Sequence, residues 1–446
     1  MLRRVPPACA KPRLQKPCGG QALRRRQAPL KHVEGPWALA RGAPLAQHVG
    51  QSAMPHVPRI TLKQGKEKPL LRGHPWVFSG AVAKIEGGIS PGDMGEVYSK
   101  DGQFLGTGYV NPHSQIVFRL LGQEKLRSLD QLVRRRISRA ASLREAWFRD
   151  KTNAYRLVNG EGDFLPGLVL DCYGETLVLQ ISTAGMERLK PGLIETLVRD
   201  LHPRTIFERS DVPTRKEEGL PEKVGHLYGE EITDRVDIEE YGCRFRVDVR
   251  RGQKTGFYLD QRENRFSIRE QCAGKKVLDC FCYTGAFSVH AGMGKANEIT
   301  LIDSSKEALE VARQHLELNS LSPLRHEEIQ GDAFEVMRAL SPDYDFIILD
   351  PPPFAKKKSH VFSASRGYKD LNLHAFRLLR DDGLLLTFCC SHHISPDLFQ
   401  KIVFSAAVDA KKNVQVLARL GHPLDHPVNL SHPEGEYLKG LLCRVL

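Results

Sequence analysis

Two apolar runs in this chain end in residues able to do chemistry on a base. Phe346-Ile347-Ile348-Leu349 ends in Asp350-Pro351-Pro352-Pro353-Phe354, and Leu384-Leu385-Leu386-Thr387-Phe388 ends in Cys389-Cys390-Ser391. Prolines fix φ and remove backbone donors, so three in a row hold the Asp350 carboxylate and the Phe354 ring stiffly at a strand end. A carboxylate there suits hydrogen bonding to a base edge, and an aromatic ring suits stacking on its face. A lone buried cysteine is usually a small hydrophobe, but one at the carboxyl end of the strand beside Asp350 is placed to attack. A thiolate there could add to carbon 6 of a pyrimidine and make carbon 5 nucleophilic enough to take a methyl group, with release after loss of the carbon 5 proton. Asp350 would stabilise the protonated ring nitrogen of that adduct. Beside such a pocket, Lys356, Lys357 and Lys358 read as phosphate contacts.

A second set of residues suits a nucleoside ligand. Val277-Leu278 runs into Asp279-Cys280-Phe281-Cys282-Tyr283-Thr284-Gly285-Ala286-Phe287, which enters a helix. A buried strand delivering a Gly-containing turn is where doubly wound sheets hold a cofactor. About twenty residues on, Ile299-Thr300-Leu301-Ile302 ends in Asp303, placed to accept hydrogen bonds from ribose hydroxyls, and Gly331-Asp332-Ala333 supplies a third acid that could hold an adenine amino group. The first turn lacks the G-x-G-x-x-G that cradles a pyrophosphate, which favours a nucleoside without phosphates such as S-adenosylmethionine.

These turns need a scaffold, and the pattern from about residue 237 onward alternates strand and helix, which implies a doubly wound parallel α/β sheet over 237–446. Upstream, residues 57–122 show short apolar stretches separated by turn signals, the pattern of a small all-β module. A helical linker spans 123–150, with Leu129, Leu132, Val133, Ile137 and Leu143 on one side and Arg134, Arg135 and Arg136 read as a solvated face. Residues 151–236 read as an α+β module, with strands at 167–171, 176–182 and 205–208 and a helix over 186–201.

Composition narrows the class. The chain has 446 residues, 41% of them hydrophobic, and a formal charge of +12. Residues 1–56 hold ten Lys or Arg and one acid, Glu34, so +9 of that charge lies in this Ala-, Pro-, Arg- and Gly-rich stretch. It reads as a disordered basic extension, or as sequence preceding a translation start at Met54; its prolines argue against an amphipathic targeting helix. The remaining 390 residues carry only +3, so an RNA surface would have to be a local patch. No run approaches the roughly 20 apolar residues of a membrane-spanning helix. The ten cysteines form no C-x-x-C pair, and His422, His426 and His432 sit loosely among prolines, so no metal site is expected and a reduced, cytoplasmic setting is.

The motifs together resemble a known family, the bacterial 23S rRNA cytosine-C5 methyltransferases that join a PUA domain to a class I methyltransferase domain. The resemblance runs almost continuously over residues 57–446. It includes His74-Pro75-Trp76-Val77-Phe78-Ser79-Gly80, Gly256-Phe257-Tyr258-Leu259-Asp260-Gln261-Arg262, Arg366-Gly367-Tyr368-Lys369-Asp370 and Tyr437-Leu438-Lys439-Gly440. It implies a PUA domain for RNA binding at 57–122, a central strand-strand-helix-strand-strand domain at 151–236 and a methyltransferase domain at 237–446. The nucleophile then falls on Cys390 and the cofactor acids on Asp279, Asp303 and Asp332, with Phe281 and Gly285 in the cofactor turn. Phe354, Lys356, Arg366 and Lys369 become substrate contacts. The family has a Ser where this chain has Cys389, and residues 1–56 have no counterpart. The expected partner is 23S rRNA or its precursor, with the target base out of its stack; a homodimer stays open. The rival expectations are a purine-base methyltransferase on the same fold and a non-catalytic RNA-binding protein.

Overall fold

The computed structural model describes residues 57–126 and 128–446; the 1–56 extension lies outside the described residues. Six short strands between Arg59 and Gly122 form one mixed sheet around Ile60, Leu62, Val97, Val110 and Phe118. The helix that follows, Leu129–Phe148, buries Leu129, Leu132, Val133 and Ile137 as its apolar spacing requires. Its arginines are less free than expected: Arg134 pairs with Asp200 at 2.9 Å, and Arg136 donates to the carbonyls of Leu121 and Phe164.

The central sheet has five strands, with three before the helix Ala184–Leu201 instead of two. The strand not anticipated there is Ala154–Asn159, whose alternation is interrupted by Arg156. That guanidinium is carried on the sheet because Asp171 of the neighbouring strand receives it at 2.8 and 3.0 Å.

The last sheet has seven strands: β1 (Lys276–Cys280), β2 (Glu298–Asp303), β3 (Arg325–Gln330), β4 (Tyr344–Leu349), β5 (Leu379–Cys389), β6 (Val414–Leu420) and β7 (Lys439–Val445). Their order is 3-2-1-4-5-7-6, with β1 to β5 parallel and β7 antiparallel to both neighbours. This is the expected doubly wound α/β sheet. Its central strands are buried on both faces, hence the unbroken Phe346–Leu349 run. Helices α1 (Ala286–Met293) and α2 (Lys306–Leu318) cover one face. Helices α3 (Ala333–Ala339), α4 (Val361–Leu378) and α5 (Pro396–Ala410) contribute to the core on the other.

Strand order reverses between β1 and β4, so the loops at their carboxyl ends diverge and leave a crevice. Its rim is completed by the segment before the sheet, residues 253–265, and by the loop between β6 and β7. That loop is anchored by Asp425, fully buried, which receives the Arg262 guanidinium at 2.8 and 2.9 Å and the backbone N–H of Arg156 at 2.9 Å. The central sheet and the last sheet are thereby tied to the same carboxylate.

Candidate active site

The crevice encloses a cavity of about 370 Å³, within the range of small-molecule sites. Asp350, Pro351, Pro352 and Pro353 come from the end of β4, Cys390 from the end of β5, and Phe281, Cys282, Tyr283 and Thr284 from the turn after β1. Asp303 and Ser304 come from the end of β2.

The turn after β1 is strained in a way that shapes it. Phe281, Tyr283 and Gly285 all have left-handed backbones, with φ of 62°, 48° and 71°. Such conformations concentrate at ligand sites, where surrounding structure holds them. Gly285 does not line the cavity; it starts α1, and a Cβ there would stand 2.7 Å from the Ala312 Cβ of α2. Its role is to let α1 pack closely, and so to aim the turn. Asp303 holds the turn from the other side: one oxygen accepts from Tyr283 N at 2.8 Å and the other from Ser305 N at 2.9 Å. A carboxylate has about four acceptor positions, so Asp303 keeps capacity for hydroxyls of a ligand.

The other two expected cofactor acids are placed differently. Asp279 is 1% exposed beneath the turn and accepts from the Ser288 hydroxyl at 2.6 Å, and burial raises its carboxyl to about 7. Asp332 is exposed, outside the cavity lining, and caps α3 by accepting from Phe334 N at 2.8 Å. A strand-end acid followed by a helix readily becomes a cap.

Asp350 and Cys390 line the same cavity, both half-buried. Burial raises Asp350 to about 7, with Asp260 pushing it further up and Lys254 pulling it down. Burial and then Asp350 push the Cys390 thiol up to about 12, and the thiol donates to the Pro351 carbonyl at 3.4 Å. The neighbouring Cys389 is fully buried and outside the cavity, packed in the core on the α4 side. Successive residues at a strand end point to opposite faces, and that alternation separates the two thiols.

Phe354 is turned away from the cavity: its ring packs 4.7 Å from Tyr368 and 5.9 Å from Phe334, because the α4 face offers an aromatic bed. Lys356, Lys357 and Lys358 are exposed. Arg366 and Lys369 lie on α4 and line a separate open hollow with Arg338 and Asp370, where Lys369 also pairs with Asp409 at 2.7 Å.

Sequence reasoning left a whole wall without a role. Lys254, Tyr258, Asp260, Gln261 and Arg265 line the cavity from the segment preceding the sheet. The signal that could have found them is the dense polar-aromatic stretch Lys254 to Arg265, which no helix or strand period explains.

A family model for S-adenosylmethionine-dependent methyltransferases matches residues 218–444, and one for PUA-like domains matches residues 60–123. Ribosomal RNA large subunit methyltransferase I of Salmonella choleraesuis is 42% identical over 402 residues, which is 89% of this chain and all of that protein. The protein of the same name from Salmonella arizonae matches to the same extent. The chain belongs to this methyltransferase family. A solved SAM-dependent methyltransferase-like protein from Streptococcus mutans covers 87% of this chain and all of its own, with 26% identity and a TM-score of 0.74. The structure of SMU.776 complexed with SAH gives 27% identity, the same coverages and a TM-score of 0.75.

S-adenosylmethionine is the methyl donor of this family, and the site fits it. The cavity has the size of a nucleoside site, an acid with spare acceptor positions at the end of β2, and no glycine-rich phosphate loop in the turn after β1. Among the described residues no helix is long and apolar enough to cross a membrane.

Proposed function

We propose that the protein methylates carbon 5 of a cytidine in 23S rRNA through a covalent adduct on Cys390, as a cytoplasmic enzyme. One observation carries the reading: the thiol of Cys390 and the carboxyl of Asp350 open on the same cavity, while Cys389 is buried behind the strand. The 42% identity to proteins named for large-subunit ribosomal RNA supports the substrate class.

The residues then act as follows. The target cytosine, out of its stack, enters beside Asp350. A carboxyl raised to about 7 is available in its protonated form, and Asp350 gives that proton to ring nitrogen 3 as the bond from Cys390 Sγ to carbon 6 forms. The Asp350 carboxylate takes up the thiol proton, so the net transfer is from sulfur to ring nitrogen. Bound S-adenosylmethionine supplies an electrophilic methyl group, and carbon 5, made nucleophilic by the adduct, accepts it. The carbon 5 proton leaves to a base, the Sγ–C6 bond breaks and nitrogen 3 returns its proton. The Asp350-Pro-Pro-Pro turn keeps its carboxyl in place because proline φ is fixed. Asp303 and Phe281 hold the donor's nucleoside. The exposed Lys356 and the hollow of Arg366 and Lys369 lie outside the cavity and contact RNA phosphates.

The test is transfer of a labelled methyl group to unmodified 23S rRNA by wild type, Cys390→Ala and Cys389→Ala, with nucleoside digestion of the product. The expected result is labelled 5-methylcytidine from wild type and Cys389→Ala and none from Cys390→Ala. Labelled purine, or label persisting in Cys390→Ala, overturns the reading.

A further inference from the structure

The wall contributed by residues 253–265 holds a fixed cation in the cavity that Cys390 also lines. Lys254 has a left-handed backbone, φ 54°, unusual for a residue with a long side chain. Its ammonium pairs with Asp260, a carboxylate only 3% exposed. The same Asp260 oxygen accepts from the Tyr437 hydroxyl at 2.7 Å, and the ammonium lies 4.5 Å from the centre of the Tyr258 ring and 5.6 Å from that of Tyr437. A buried acid, a phenol and two ring faces thus locate a charge that a lysine would otherwise carry on a mobile stem. Lys254 lines the same cavity as Cys390 and Asp350.

The surroundings of Cys390 leave few other groups for this task. Asp350 from β4 and Asp260 from the same wall oppose a thiolate, and Cys389 adds to that. The phenols of Tyr258 and Tyr368 also sense the thiol. Two other cations are near: the Lys439 ammonium of β7 donates to the Ser391 carbonyl at 2.9 Å and lies outside the cavity lining, and the Arg265 guanidinium, which does line the cavity, is held by the buried Glu240 through two hydrogen bonds of 2.7 Å. Lys254 is the charge within the cavity that draws the thiol down.

We infer that Lys254, clamped by Asp260 and Tyr437, is a positioning residue whose ammonium stabilises the Cys390 thiolate as it forms. The inference rests on Cys390 being the nucleophile. No bond to Lys254 forms or breaks, and its proton stays on it. The opposite charge makes the sulfur a better nucleophile at a given pH, an effect that for neighbouring groups amounts to about one pKa unit or more.

The experiment uses the full chain without donor or RNA. Alkylation of Cys390 by iodoacetamide is followed by peptide mass spectrometry from pH 7 to 10 in wild type, Lys254→Met, Lys254→Gln and Lys254→Arg. Below the thiol's midpoint the rate scales with the thiolate fraction, so a one-unit rise reads as a tenfold slower reaction at fixed pH. The expected result is roughly tenfold slower alkylation in Lys254→Met and Lys254→Gln, and a rate near wild type in Lys254→Arg. Unchanged alkylation in the two neutral variants overturns the inference. So does a raised KM for S-adenosylmethionine with an unchanged alkylation profile, which would assign Lys254 to the donor. Methyl transfer by Cys390→Ala is run alongside. Activity there removes the covalent reading itself, whereas an inactive Cys390→Ala with no Lys254 effect removes only the role of Lys254.

Discussion

The close approach at Gly285 offers a measurable test of how the cofactor turn is built. Gly285→Ala introduces two separable penalties. The first is backbone: at φ 71° an alanine is left-handed, which costs about 1 kcal/mol. The second is steric: the new methyl would lie 2.7 Å from the Ala312 Cβ and 3.2 Å from its Cα, inside the packed interface of α1 and α2. Overpacking of that kind costs about 1–3 kcal/mol, so the expected total is about 2–4 kcal/mol. Gly274 supplies the control, because its φ is 70° and a Cβ there meets nothing within 4 Å. Gly274→Ala should therefore show only the backbone penalty of about 1 kcal/mol. Urea unfolding at constant m-value measures both, and titration with S-adenosylhomocysteine measures whether the turn has moved. The double variant Gly285→Ala/Ala312→Gly should recover the steric part, less about 1 kcal/mol for glycine within a helix. Equal stability losses in Gly285→Ala and Gly274→Ala would refute the argument that the α1–α2 contact requires glycine at 285.

Two further outcomes follow from buried charge. Burial raises Asp279 to about 7, so the folded protein keeps a proton that the unfolded chain releases near pH 4; this group's contribution to stability is complete at low pH and declines as pH rises from about 4 to 7, by up to ~4 kcal/mol. Asp279→Asn should flatten that decline in urea midpoints measured across this range, and an unaltered slope would show that Asp279 is not the titrating group. Glu240, fully buried, holds the Arg265 guanidinium with two hydrogen bonds of 2.7 Å and His290 at 3.0 Å. Burial lowers His290 to about 4, so Arg265 is the cation that Glu240 neutralises. Glu240→Gln should cost about 3–5 kcal/mol by stranding it, seen as a fall of roughly 4–6 °C in melting temperature for a chain of this size; a loss under 1 kcal/mol would contradict that account.

Much of the last sheet was readable because its strands are buried on both faces. Continuous apolar runs such as Phe346–Leu349 and Leu384–Phe388 cannot be solvated on either side, and each ends where an acid or thiol appears, so strand and site residue were marked by the same boundary. Irregular elements were harder. Ala154–Asn159 is hidden by Arg156, whose ion pair with Asp171 joins residues on two strands. Arg134 and Arg136 look solvated in one dimension and are bound to Asp200 and to backbone carbonyls in three.

By itself the sequence determined the strand-helix alternation, the turns that close β1, β2, β4 and β5, and the residue types that stand in them. These are local properties, set by burial of neighbouring side chains and by the conformational limits of glycine and proline. The tertiary structure decided which of those residues meet. It set Cys390 in the cavity and Cys389 behind it, sent Phe354 and Asp332 to packing and capping, and brought Lys254 and Asp260 into the lining of the same cavity from about 130 residues upstream. Which face a strand's last residue presents, and which distant segment covers it, depend on the order of strands and on how the layers pack, and neither is a property of any stretch of chain alone.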